Sequence, residues 1–183
     1  MSKTTEIRLQ TWAAPAAVSN TAVHAAITLP ASGTTVVTTN ITNPDFPRTI
    51  RLKSNQSSVD GLVVTVTGTD IQGNAISENV TMGATATATD TLNAFATVTS
   101  ITVPTRGASG DTVSVGLGAK LGLDSYCDEF SFAIGSAKIT SYTYDTAVIS
   151  RNTILHATTL DGATNVAVGY IPSTFPTYNR IWG

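Results

Sequence analysis

The feature that most constrains this chain is a rhythm of short alternating segments cut by turns. From Thr34 onward, apolar and polar residues alternate over a few positions, and turn-forming residues interrupt them roughly every 10 to 12 residues. Leu62 to Thr69 is the clearest case. Leu62, Val64 and Val66 fall on one face, Val63, Thr65 and Thr67 on the other. Side chains of a strand alternate between faces, so this period of two reads as β. Arg48 to Ser54 repeats it, with Ile50 and Leu52 set against Arg51 and Lys53. Asn43 to Pro47 contains two prolines, which cannot donate to a ladder, and reads as a turn. Asp70-Ile71-Gln72-Gly73-Asn74 reads as a hairpin loop into a return strand at Ala75 to Met82, because Asp bonds its own backbone and Gly accepts positive φ.

Further strands are expected at Thr34 to Ile41, Phe95 to Val103, Thr112 to Val115, Lys120 to Leu123, Phe130 to Ile134, Lys138 to Tyr144, Ala147 to Ile149, Thr153 to Thr158 and Asn165 to Ile171. Asp161-Gly162 marks a hairpin turn between the last two, and residues 83–91 read as a low-complexity Ala/Thr stretch. Many short strands with turns between them predict an all-β fold, an antiparallel, jelly-roll-like β-sandwich. Helix is expected below about a tenth of the chain and strand above about a third, well away from the usual averages.

Composition agrees. Of 183 residues, 33 are Thr, which is β-branched and suits a pleated sheet with a polar outer face. Hydrophobic residues make up 42%, enough for a core, and the length suits one sandwich domain, expected at residues 32–171. Charged residues make up only 12%, about half the usual share. A surface with so little charge gains little electrostatic solubility, so cover by partner subunits is expected. The net charge of −2 and ten thinly spread Lys and Arg give nucleic acid little to attract it. No segment approaches the roughly 18 apolar residues of a membrane helix. The opening Met-Ser-Lys-Thr-Thr-Glu lacks a signal-peptide core, so a protein made in the cytoplasm and not exported by the common route is expected.

The ends have a different texture. Residues 1–31 are expected to form an extended N-terminal arm. Ile7 and Leu9 alternate weakly with Arg8 and Gln10, and an Ala-rich stretch broken by Pro15 and Pro30 follows. Within it, Ser19 is placed to cap a short helical turn through Ala26, whose Val23, Ala26 and Ile27 share a face. Residues 172–183 read as a Pro-containing tail. The two segments hold both tryptophans, and Trp in an irregular arm commonly anchors in a partner's pocket. The candidate interface residues are therefore Ile7, Leu9, Trp12, Phe175, Tyr178 and Trp182.

Catalytic and metal chemistry find little to work with. His24 and His156, the two histidines, lie in an Ala-rich stretch and an expected strand, with no nucleophile or carboxylate motif around them. One cysteine, Cys127, and two distant histidines make a poor zinc set, and Cys127 has no partner for an internal disulfide. Asp124, Asp128 and Glu129 lack the spacing of a calcium loop. Gly116-Leu117-Gly118 is followed by no helix and reads as a bulge or bend, not a dinucleotide turn. The expectation is a non-enzymatic protein without cofactor or metal.

Pro47-Arg48-Thr49-Ile50-Arg51-Leu52, Gly61 to Asp70, Gly73 to Thr81, Phe95 to Val103 and Val113 to Gly116 together resemble a loose class of tailed-bacteriophage virion proteins. These are the decoration, cement and head-fibre-base proteins of the head. The resemblance covers roughly residues 46–123. It implies a β-sandwich or jelly-roll domain, a homotrimer, the major capsid protein as partner, and a place on the capsid surface. Closure around a threefold axis suits capsid symmetry. Two alternatives remain at this level: a tail, connector or head-fibre component, and a carbohydrate-binding host-recognition module with exposed aromatics.

Overall fold

The computed structural model describes residues 8–84, 87–133, 139–143, 145, 147–156 and 160–172. They form strands β1 (Arg8–Trp12), β2 (His24–Thr28), β3 (Thr35–Val37), β4 (Arg48–Ser54), β5 (Val63–Thr69), β6 (Ala75–Thr81) and β7 (Thr89–Phe95). β8 (Thr97–Val103), β9 (Thr112–Gly122), β10 (Cys127–Ala133), β11 (Ile139–Thr143), β12 (Thr153–His156) and β13 (Val166–Pro172) complete the set. Among the described residues, helix is confined to two single 3-10 turns, Ser57–Val59 and Ile149–Arg151. The chain is all-β, and every strand pair is antiparallel.

The strands make three sheets. Sheet A runs β1-β13-β10. Sheet B runs β11-β12-β9-β4-β7, with β2 also on β9. Sheet C runs β3-β8-β5-β6. Sheets B and C are the layers of the sandwich. Ile50, Leu52, Val113 and Val115 of sheet B meet Val64, Val66, Val80, Ile101 and Val103 of sheet C in the main core. Sheet A covers a second core of Trp12, Leu121, Leu123, Ile154, Leu160, Val166, Val168 and Tyr170. β9 serves both. Its first half gives Val113, Val115 and Leu117 to one core, and its end gives Leu121 to the other.

β4 lies where the alternation places it, and β5 and β6 agree within a residue. The Asp70 turn is also as read: its Oδ1 accepts the N–H groups of Gln72 at 2.8 Å and Asn74 at 2.9 Å. Other boundaries move for physical reasons. The strand expected over Thr34 to Ile41 shrinks to β3, and Asn40 beyond it turns through the left-handed region at φ 56°. The strand expected over Phe95 to Val103 is β8, which starts two residues later, and Phe95 instead ends a strand not expected, β7. β7 starts at Thr89, inside the low-complexity stretch, and Ala96 alone carries the chain from sheet B to sheet C. The two short strands around Gly116 and Gly118 are one, β9. Opposite Thr49 the register slips by two residues, a bulge at Gly118. A Cβ on Gly116 would lie 2.0 Å from the Ser19 carbonyl oxygen, so Gly lets that segment cross. The strand expected at Ala147 to Ile149 gives way to the second 3-10 turn, where the buried Asn152 amide bonds the carbonyls of Asp145 and Val148. Asp161-Gly162 is a turn, but β12 and β13 belong to different sheets, so it joins no hairpin.

The expected N-terminal arm is the largest correction. Within residues 8–31, β1 joins sheet A and β2 joins sheet B. β1 pairs with β13 from Arg8↔Tyr170 to Trp12↔Val166, and β2 pairs with β9. Ser19 Oγ does accept the N–H groups of Thr21 and Ala22, as a cap would. No helix follows, because the edge of β9 competes for the backbone: Ser19 N–H donates to Leu117 O and Val23 N–H to Val115 O, both at 3.1 Å. The expected C-terminal tail lies, beyond Pro172, outside the described residues.

Candidate interaction face

The described side chains divide into groups that hold the fold and groups that face outward. Arg48 holds the fold. It is fully buried on β4, where the two cores meet. Its Nε donates to Gly118 O at 3.0 Å, and its Nη1 donates to Ala16 O at 2.9 Å and to Asp45 Oδ1 at 3.1 Å. Burial lowers its pKa and Asp45 opposes the shift; guanidinium remains charged and needs all these acceptors. Beside it, Arg51 grips Asp90 of β7 at 2.7 and 3.0 Å, a two-pronged pair.

A bulge in β7 is held in the same way. Three residues, Thr91 to Asn93, oppose Ile50 alone. Thr91 Oγ1 accepts the Ile50 N–H at 2.8 Å and donates to Asn93 O at 2.8 Å, repairing the ladder. Glu78 reaches across from β6 and accepts the N–H groups of Leu92 at 2.7 Å and Asn93 at 2.9 Å. Glu78 thereby latches the edge of sheet C to the edge of sheet B. At the second core, the Tyr170 hydroxyl donates to Asp124, which also accepts from Arg8 at 2.7 Å. Burial, then the Asp124 bond, pushes the Tyr170 phenol far above its ordinary value.

The outward face of sheet C is different in kind. Glu78 is the one charged residue in its four strands, and it is spent on the latch. Val64, Val66, Ile101 and Val103 turn inward and are buried. The alternate positions look out, in register: Val36 beside Thr102, Thr102 beside Thr65, and Thr65 beside Asn79. Polar groups on this face bond each other across strands. Thr65 Oγ1 donates to Asn79 Oδ1 at 2.8 Å, Thr67 and Ser77 hydroxyls meet at 3.2 Å, and those of Thr69 and Thr97 at 2.7 Å. Val36 and Val63 stand among them, 58% and 43% exposed. The result is a neutral, hydroxyl-lined surface four strands wide.

Of the residues singled out from sequence, Leu9 on β1 is 57% exposed and available to a partner. Trp12 is not. It is 2% exposed in the chain's own second core, because strand pairing with β13 turns it inward. Ile7, Phe175, Tyr178 and Trp182 lie outside the described residues. The register of β1 on β13 sets Arg8 opposite Tyr170. His24 Nδ1 is 2.7 Å from Ala25 O on a strand edge, and His156 ends β12. Among the described residues, no three His, Cys, Asp or Glu are placed to hold a metal ion. The signal for the sheet C face was in the sequence, as the outward Thr65 and Thr67. It became a surface only when β3, β8, β5 and β6 came into register.

The chain matches no protein-family model, no curated protein and no solved structure.

Proposed function

We propose that this chain is a virion structural protein of the tailed-phage head, a decoration or cement subunit that works by adding contact area and not by chemistry. The observation that carries the reading is the charge-free outer face of sheet C. A soluble protein surface normally intersperses charges of both signs. A four-stranded face without any is inexpensive to desolvate, since its hydroxyls already bond each other and no ion must be stripped of water. Such a face suits cover by another subunit. The major capsid protein is the proposed shell-side partner. Exposed Leu9 and the segments 1–7 and 173–183 are the proposed contacts to it.

A carbohydrate-binding module draws less support. Sugar faces stack on exposed aromatics, and among the described aromatic side chains Trp12, Phe95 and Tyr170 are buried, while Tyr142 at 39% is the most open.

The test is immunogold labelling, with antibody to this chain, of phage particles assembled in the cell that makes it. Label spread over the head supports the reading. Label confined to the tail moves the chain to the tail or connector, and particles without label remove it from the virion.

A further inference from the structure

The outer face of sheet C also indicates what covers it. Its polar side chains are Thr, Ser and Asn, each able both to donate and to accept. A surface built only from such groups is complementary to itself. Two copies set face to face about a twofold axis can bond hydroxyl to hydroxyl, and neither copy brings an ion that the other must neutralise. A charged partner surface would fare worse, because its ions would lose water against a face with no counter-charge. The face also carries apolar points, Val36 on its β3 edge and Val63 on β5, both well exposed.

Its size bears on the strength of the contact. Three strands of seven residues, β8, β5 and β6, and the three-residue β3, about 4.8 Å apart and rising about 3.4 Å per residue, cover roughly 14 by 24 Å plus about 5 by 10 Å. That is about 390 Å² in projection, and about 780 Å² for two copies, before the relief of the side chains is added. Specific interfaces start near 1,000 Å². A reversible pair is therefore the fitting product, one that a lattice would reinforce through repetition.

We propose that the outer face of sheet C binds a second copy of this chain, face to face about a twofold axis. The proposal rests on the reading of the chain as an assembly subunit, but it is tested without any shell. If the subunits also form threefold rings, as the resemblance implies, stacking two rings through this face gives a hexamer, so the assembly is even-numbered in either case.

The experiment is sedimentation equilibrium of the full-length chain from low to high micromolar concentration. Wild type is expected as a monomer–dimer or trimer–hexamer equilibrium. Thr67 lies near the middle of the face, so Thr67→Lys and Thr67→Glu each set like charges against each other and should weaken pairing at least about tenfold, with unchanged circular dichroism. Mixing the two variants should restore pairing, because the charges then complement each other. Thr11→Lys, an exposed change on β1 of sheet A, should leave it intact. Wild type that stays monomeric or odd-numbered, or pairing unmoved by either Thr67 variant, overturns the proposal. Loss of pairing in Thr67→Lys that the Thr67→Glu chain does not rescue also counts against the twofold geometry. Head labelling in the immunogold experiment is indifferent to these results, so the two readings fail separately.

Discussion

Sheets B and C share one core and treat charge in opposite ways. β4 of sheet B carries Arg48, Arg51 and Lys53 in seven residues, while the four strands of sheet C carry Glu78 alone. The ion pairs described, Arg8–Asp124, Arg48–Asp45, Arg51–Asp90 and Arg151–Asp145, all lie on sheets A and B and their connections. There the charges are internal fittings. They close bulges, bridge the two cores and hold loops. Sheet C does without charge: β5 and β6 form a hairpin whose ladder is complete from Val63↔Thr81 to Thr69↔Ala75, and where β8 bulges against β5 the Thr99 hydroxyl donates to Thr67 O at 3.2 Å. A chain so poor in charge has spent its ion pairs on sheets A and B and their connections, and has left the outer face of sheet C neutral.

If that division is right, substitutions on the two sides should differ in what they damage. The largest effect is expected from Trp12→Ala. It empties a site in the second core and should cost about 4 kcal/mol by denaturant unfolding. A loss under about 1 kcal/mol would mean that β1 is an arm after all. Arg48→Met should follow, at about 3 kcal/mol, since it leaves the Gly118 and Ala16 carbonyls without their buried donor. A neutral result would remove the claim that buried charge joins the two cores.

Acid should act on the loops. The Ser58 hydroxyl, foremost, holds the Asp111 carboxyl below its ordinary value, and the N–H of Ala147 does so for Asp145 and that of Ala163 for Asp161. A lowered folded pKa gives stability that is present above the unfolded value of about 3.9 and is lost as pH falls through the folded value. Thermal midpoints should therefore be flat from about pH 7 to about pH 5 and drop below about pH 4, with Asp161→Asn blunting the drop. Pairing through sheet C, which has no titrating group on its outer face, should not change from about pH 5 to about pH 7.

Arg51→Met, at a pair about one-quarter exposed, should cost about 1 kcal/mol or less. Smallest of all, Thr67→Lys should shift monomer stability by no more than about 0.5 kcal/mol. A large loss there would mean that the hydroxyl pairs are structural and that the face is not free to serve a partner.

The sandwich was legible where interactions are local. β4, and the hairpin of β5 and β6 around Asp70, follow from period two and turn chemistry. What was not legible depends on partners distant in sequence. β2, His-Ala-Ala-Ile-Thr, has no strong alternation and is a strand because β9 offers it an edge. β7 inverts the usual pattern at its bulge, where polar Thr91 and Asn93 are buried and apolar Leu92 between them is 63% exposed, so no apolar alternation marks it, and its first three residues lie in the stretch read as low-complexity. Trp12, expected from sequence to anchor in a partner's pocket, fills its own chain's second core, which only pairing with the distant β13 shows.

Salt separates the two kinds of surface most directly. Contacts made by exposed ion pairs weaken as the Debye length shrinks from about 10 Å at 0.1 M to about 3 Å at 1 M, whereas a neutral face has nothing to screen. Sedimentation equilibrium of the wild-type chain at about 0.05 M and about 0.5 M sodium chloride should give association constants equal within about twofold. A chain that is monomeric at both, or pairing that falls tenfold or more at the higher salt, would contradict the assignment of sheet C as the subunit contact and point instead to the charged side of the molecule.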